Sequence, residues 1–250
     1  MIQPIGIVMP FYNHWNLSHT RLFELYKYVQ DNCFIVLVND CSTEVECETG
    51  VAWWQKQVHK QEIYYIKNKE NLGFGKSMNL GAKIAQKRGA ELIIFLSNDV
   101  VISGDFVTEI VTKMEKNNKV LLGNEVIYYP AGWNEFELEG KKFTVPYANG
   151  WLLACTSEVW NNLVGFDPIY GKYDFEDIDL SMSAISLGYN IVALNSKNVR
   201  HLGGQTVNKM DNNRIEQTKK NREIFINKWQ SRFAQIFRTL ENKNGTDIQT

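Results

Sequence analysis

The chain has 250 residues, with 27 Lys+Arg against 28 Asp+Glu, and a formal net charge of −1 argues against attachment to nucleic acid by bulk charge. Hydrophobic residues make up 44% and charged residues 22%, a balance that excludes wholesale disorder. No apolar run approaches the roughly 20 residues needed to cross a bilayer, and no basic stretch leads into an apolar one near residue 1, so neither a transmembrane segment nor a secretory signal is expected.

The first half alternates short apolar runs with helical periodicity. Ile5–Met9 reads as a buried strand. Trp15–Gln30 carries Leu22, Leu25, Tyr26 and Val29 at helical spacing. Phe34–Val38 is a second strand, Val51–His59 a helix, Ile63–Ile66 a third strand, Phe74–Arg88 a helix, Leu92–Leu96 a fourth strand and Phe106–Lys116 a further helix. This alternation predicts an α/β fold with a mostly parallel sheet flanked by helices. Such sheets bind ligands beyond the carboxyl ends of their strands.

The second half changes character. Val120–Tyr129 and Lys142–Tyr147 read as strands around a polar loop with Gly132 and Gly140, and Gly150–Thr156 as another apolar run. Phe175–Leu187 is a predicted helix and Ile191–Leu194 a strand. Residues 203–213 read as a mobile polar loop. From Arg214 the spacing of Phe225, Trp229, Phe233, Ile236 and Leu240 predicts a long amphipathic helix. There is no repeat and no linker, so one domain is expected over 1–240, with a frayed tail over 241–250. The four cysteines (33, 41, 47 and 155) form no C-x-x-C pair and no zinc spacing; free thiols point to a reducing compartment, hence the cytoplasm.

Six polar clusters could carry chemistry. Pro10-Phe11-Tyr12-Asn13 follows the first strand, where an aromatic could stack on a base or simply close a turn. Asp40, after the second strand, could accept a hydrogen bond from a base or ribose. Asn71-Leu72-Gly73-Phe74-Gly75-Lys76-Ser77-Met78-Asn79 opens a helix; it is no P-loop, because position 70 is Glu, but its glycines allow close approach of a ligand to the backbone. Ser97-Asn98-Asp99 follows the fourth strand, and its carboxylate could hold a divalent cation or cap a helix. Asp174-Phe175-Glu176-Asp177-Ile178-Asp179 gathers four acids; Asp174 fits an N-cap and the others a first turn that favours negative charge, or one of them is a general base. His201-Leu202-Gly203-Gly204 ends a strand-like run where a metal ligand could sit.

The order of these motifs, with Gly165-Phe166-Asp167 before Tyr173–Leu180 and Arg222–Trp229 after it, resembles the family-2 glycosyltransferases of the GT-A fold, in the branch of rhamnosyltransferase-like enzymes, over roughly residues 4–205. The resemblance implies a Rossmann-like sheet with a nucleotide-binding half (1–100), an acceptor-binding half (101–212) and a C-terminal helix (213–240). It implies an inverting, metal-dependent transfer from a nucleotide sugar to an acceptor hydroxyl, such as a glycan's, with UDP as the expected carrier and dTDP as the alternative. Residue by residue, it puts Pro10, Tyr12, Asn13, Asp40, Asn71, Gly73, Asn79, Ser97 and Asn98 at the nucleotide and Asp99 and His201 at the metal. Gly150 and Trp151 fall at the sugar and acceptor. Asp177 matches the base, with Glu176 beside it. One departure stands out: Ser97 occupies the place of the first acid of the family's Asp-x-Asp motif. Metal binding would then rest on Asp99, His201, the diphosphate and water, and a His ligand favours Mn²⁺ over Mg²⁺. Ser97 also supports the competing expectation of a catalytically impaired nucleotide-sugar-binding protein.

Overall fold

The computed structural model describes residues 2–30, 32–57, 61–138, 140–203, 212–233 and 236. The expected alternation is present: β1 (Ile5–Phe11), α1 (Trp15–Tyr28), β2 (Cys33–Asn39), α2 (Val45–Lys56), β3 (Ile63–Lys67), α3 (Phe74–Lys87) and β4 (Leu92–Leu96). A short strand β5 (Val100–Ile102) precedes α4 (Phe106–Lys116). The second half contains β6 (Val120–Gly123), β7 (Val126–Ile127), a hairpin of β8 (Glu135–Leu138) and β9 (Lys141–Thr144), then β10 (Tyr147–Ala148) and β11 (Leu152–Thr156). It ends with α5 (Ser157–Leu163), α6 (Glu176–Ser186), β12 (Asn190–Ala193), β13 (Val199–His201) and α7 (Asn212–Trp229).

The main sheet has the order β12-β6-β11-β4-β1-β2-β3. It is parallel except for β11, which runs antiparallel to both β4 and β6. Alternating side chains of the central strands feed two cores. Ile5, Ile7, Ile35, Leu37, Leu92 and Ile94 face α1, α2 and α4, while Val8, Val36, Val38, Ile93 and Phe95 face α3, α5 and α6. Helix α3 lies close on the sheet because Gly81 meets Val8; a Cβ there would stand 2.2 Å from the valine side chain. Together, the strand ends line up the loops that carry the polar clusters.

A third core joins α7 to α6 and the β8–β9 hairpin through Phe136, Phe175, Ile178, Met182, Phe225 and Trp229. Each such side chain is worth roughly 1.5–3 kcal/mol of burial. Asp179 adds a polar lock: it accepts from Tyr170 Oη (2.8 Å), Trp229 Nε1 (2.7 Å) and Lys228 Nζ (2.8 Å). An Asn cannot accept all three donors. Asp179→Asn is therefore expected to cost about 1–3 kcal/mol, the scale for leaving a buried hydrogen-bonding group unsatisfied. Urea melts test this, and an unchanged midpoint would mean that the apolar face alone holds α7.

Several elements differ from their sequence expectations. Helix α2 begins at Val45, six residues early; Glu46 and Glu48 in its first turn favour the helix dipole. Gly50 looks like a breaker but makes room for the Trp15 indole. The run Val120–Tyr129 is split at Asn124, whose backbone carbonyl and side chain accept from Asn195 N and Ser196 N at 3.0 Å each. The C-terminal helix stops at Trp229 in a turn, although Phe233 and Ile236 still reach the third core. Leu240, residues 204–211 of the expected loop and the expected tail 241–250 lie outside the described residues. Among the described residues, no helix is long and apolar enough to cross a membrane.

Candidate active site

Two cavities open along the carboxyl edge of the sheet. The first, about 610 Å³, receives Pro10 and Tyr12 from the end of β1, Asp40 from β2, Asn71 and Gly73 from the loop before α3, and Ser97, Asn98 and Asp99 from β4. Gly150, Trp151, Glu176, Asp177 and His201 line its other side. Of the residues that the resemblance assigns to nucleotide, metal, sugar or catalysis, all line this cavity except Asn13 and Asn79. Asn13 caps the 43–44 turn, its Oδ1 accepting from Thr43 N at 2.8 Å. The Asn79 amide clasps the backbone of Phe166, donating to its carbonyl (2.7 Å) and accepting from its N–H (2.9 Å). Both side chains are spent on the fold.

Asp40 organises one wall. Its buried carboxylate accepts from Asn68 Nδ2, Leu72 N and Gly73 N, each at 2.8 Å. Gly73 sits at φ +85°, and a Cβ there would also strike the Lys172 backbone at 2.7 Å, so only glycine fits this turn. Three accepted bonds leave a carboxylate about one free lone-pair position, and both Asp40 and Tyr12 line the cavity.

The opposite end joins residues far apart in the chain. Strand β13 pairs antiparallel with β5, setting His201 opposite Val100 and therefore beside Asp99. His201 Nε2 lies 3.1 Å from Asp99 Oδ1, and Ser97 Oγ donates to that same oxygen at 2.6 Å. The Trp151 ring stacks on the imidazole, with centroids 5.4 Å apart and planes 7° apart. A polar seam on α1 grips the turn from below. Asn98 Nδ2 donates to Ser18 Oγ (3.0 Å), Arg21 Nη1 donates to the Val100 carbonyl, and Glu24 accepts from Ile102 N (2.7 Å). The apolar spacing of α1 predicts only its buried face; Ser18, Arg21 and Glu24, at i, i+3 and i+6, form a polar stripe beside it.

These donors suit a hard divalent cation. One carboxylate and one imidazole converge, and such ions keep several waters and substrate phosphate oxygens in their shells. Among the described residues no group of three or more His, Cys, Asp or Glu side chains could hold a metal. Asp99 and His201 could supply two ligands of a shell that water and a ligand's oxygens would complete.

The acidic cluster divides its labour. Asp174 is not the N-cap the sequence suggested: Phe175 takes that place in the left-handed region (φ 79°), and Asp174 precedes it at φ 55°. Two successive non-glycine residues in that region are strained. Helix α7 holds them there. Arg214 donates twice to the Asp174 carboxylate (2.7 and 3.1 Å), as does Thr218 Oγ1 once. The buried Asn221 amide donates to the carbonyls of Tyr170, Tyr173 and Asp174. This clamp, unread in the sequence, fixes the first turn of α6, where Glu176 and Asp177 project.

Asp177 Oδ2 accepts from Gly150 N at 3.0 Å and Oδ1 from Ile178 N at 2.9 Å. Burial raises its pKa, and these two N–H groups oppose the rise. Glu176 Oε2 is buried without a hydrogen-bond partner among the described residues. Burial first, and then the Asp177 charge, push Glu176 up further, to about 8. The pair titrates as a unit, with its last proton on Glu176 and the ionised form on Asp177.

In the unfolded chain Glu176 regains an ordinary glutamate pKa, so folding binds a proton. Stability from this group is present below the ordinary glutamate range and declines as pH rises through the folded value. Wild type is expected to lose melting temperature between about pH 5 and about pH 9, and Glu176→Gln to flatten that decline. Parallel melting curves for both proteins across this range would show that Glu176 is not the group responsible.

The second cavity, about 540 Å³, begins where the first ends. The two share Asn149, Asp174, Glu176, Asp177 and Arg214, so the carboxylate pair stands at their junction.

Comparisons with known proteins agree with this architecture. Residues 6–161 match the sequence profile described as Glycosyl transferase family 2. A 107-residue stretch is 26% identical to the dTDP-rhamnosyl transferase RfbF of Shigella flexneri, covering 40% of this chain and 34% of that protein. The fold is similar to the mannosyltransferase PcManGT from Pyrobaculum calidifontis in complex with GDP-Man and Mn²⁺ (TM-score 0.58, 16% identity, 76% of this chain and 54% of that one). It is also similar to GalNAc-T7 with UDP, GalNAc and Mn²⁺ (TM-score 0.64, 16% identity, 80% and 44%). The match thus spans about a third of the Shigella protein and about half of each solved chain.

Proposed function

The chain belongs to glycosyl transferase family 2, and from that premise we propose that it is an inverting, metal-dependent enzyme moving a sugar from a UDP-linked donor to a hydroxyl of a glycan. The observation that carries this reading is the junction: Glu176 and Asp177 stand between a cavity with nucleotide-binding chemistry and a second one open to an acceptor. A single displacement needs leaving group and nucleophile on opposite sides of the anomeric carbon, and a base on the nucleophile's side.

Tyr12 stacks on the base, and Asp40 offers its remaining lone pair to the base edge. Uracil and thymine share an N3–H flanked by carbonyls and differ by a methyl group, so dTDP, the carrier named for the Shigella relative, is the alternative. Asp99 and His201 would hold the cation. Mn²⁺ tolerates an imidazole ligand better than Mg²⁺ does and accompanies the nucleotide in both solved neighbours. When bound, the cation offsets the charge that grows on the departing nucleoside diphosphate. Lys172, which lines the same cavity, adds positive charge near it. Asp177, ionised, takes the proton of the acceptor hydroxyl as that oxygen bonds to the anomeric carbon and the carbon–diphosphate bond breaks. Glu176, protonated, donates a hydrogen bond at the junction.

We further propose that the described elements form one domain of two halves. The free Cys33, Cys41, Cys47 and Cys155 support a reducing compartment, the cytoplasm.

Thermal shift with UDP, dTDP, GDP and their common sugar conjugates, with MnCl₂ or EDTA, tests the reading, because a ligand that binds the folded state raises the melting temperature. The largest rise is expected with UDP or its sugar conjugates in the presence of Mn²⁺, and EDTA should remove most of it. Absence of any shift with every nucleoside diphosphate would overturn the reading.

A further inference from the structure

The second cavity has a charge pattern that the transfer step does not require. One face of α7 lines it with Arg214, Ile215, Thr218, Lys219 and Arg222, and Trp133 and Tyr147 stand opposite. Arg214 is neutralised by Asp174 at 2.7 Å. Lys219 and Arg222 are not: neither has a carboxylate partner among the described residues. Lys219 is exposed. Arg222 gives three of its five N–H groups to the carbonyls of Gly132, Trp133 and Glu135 and lies over the Phe136 ring at 4.8 Å, so it keeps its full charge and two donors while fixing the loop that carries Trp133. Trp133 lines the cavity and is 57% exposed, which leaves much of its indole open to a ligand.

With a rise of 1.5 Å per residue, Lys219 and Arg222 lie about 8 and about 12 Å from Arg214 along α7, so the cations are spread along one wall of the cavity. A hydroxyl placed at Asp177 therefore leaves the neighbouring part of its molecule in a cavity lined by Trp133, Lys219 and Arg222. A neutral glycan would use the indole and leave the charges idle.

Resting on the transferase reading, we propose that the second cavity selects an anionic saccharide acceptor, one whose ring stacks on Trp133 and whose phosphate or carboxylate, adjacent to the attacked sugar, falls on Lys219 and Arg222. Phosphate and uronate present the same oxygens to these cations, and the test separates them.

The test uses an array of oligosaccharides in matched triplets, neutral, uronate-bearing and phosphodiester-bearing, probed with the full chain in UDP and MnCl₂. One anionic class is expected to be retained roughly tenfold or more over its neutral counterpart, the size of one charge-assisted hydrogen bond. The preference should shrink in high salt and disappear in Lys219→Glu, whose melting temperature should match wild type because the side chain is exposed. Retention of the uronate or the phosphodiester member identifies the anion. Equal or weaker retention of anionic members, or a preference that survives Lys219→Glu, would overturn the proposal. Calorimetry of wild type with UDP and MnCl₂ separates the two levels. Intact nucleotide binding without anionic preference overturns this proposal alone; absence of nucleotide binding overturns the transferase reading and this proposal with it.

Discussion

Asp177→Asn is expected to lower turnover by about 10²–10⁴-fold, the usual contribution of a positioned base, while donor affinity changes little. Asparagine keeps the shape of the side chain and can still accept from Gly150 N, giving up only the bond from Ile178 N within its own helix turn. What it loses is basicity. Wild-type turnover should also fall on the acid side at a pH above the ordinary aspartate range, because burial raises the Asp177 pKa. Protonation there removes the ionised form that the step uses. Glu176→Gln provides the contrast, since the amide still donates a hydrogen bond and the base is untouched. Near-normal turnover in Asp177→Asn beside a dead Glu176→Gln would move the base to Glu176.

Loss of either proposed metal ligand should act earlier in the cycle. Asp99→Asn and His201→Ala are each expected to weaken Mn²⁺-dependent nucleotide binding by at least the roughly 10–100-fold seen when even an outer partner of a bound metal is removed. Ser97→Asp should strengthen it. Ser97 Oγ now donates to Asp99 Oδ1 at 2.6 Å, so an acid in its place would face the same point in the cavity. Calorimetry with UDP at fixed MnCl₂, and again in EDTA, reads all three variants. Wild-type affinity and turnover unchanged by EDTA would remove the metal from the account.

The parallel half of the fold was legible because each strand is a short apolar run and each helix has its own period. Leu92–Leu96 and Phe106–Lys116 match expectation to the residue. Legibility failed where a distant segment decides the local structure. Asp174 before a helical run is the ordinary signature of an N-cap, yet its carboxylate is drawn to Arg214 and Thr218, 40 and 44 residues on, and the cap passes to Phe175. The three-residue strands β5 and β13 carry no period of their own; they exist as a pair, and that pairing is what sets His201 beside Asp99. Family resemblance singled out both residues, while periodicity could not have joined them. Asn79 shows the reverse case. A polar residue in a ligand-facing motif was read toward the nucleoside, and its amide instead ties α3 to Phe166.

The α7 clamp has the same origin. Arg214, Thr218 and Asn221 look like the solvated face of an amphipathic helix until the helix is docked, when they become the groups that hold the 173–175 backbone in its strained form. A helix selected for its apolar stripe thus also sets the direction of Glu176 and Asp177, which no local pattern could disclose.

A crystal structure of the chain with a bound nucleotide sugar and Mn²⁺ decides whether the junction is where transfer occurs. The nucleotide is expected in the first cavity, its diphosphate against Asp99 and His201, and the anomeric carbon at the junction with its face toward the second cavity open to Asp177. A nucleotide seated elsewhere, or an anomeric carbon turned away from Asp177, would contradict that assignment.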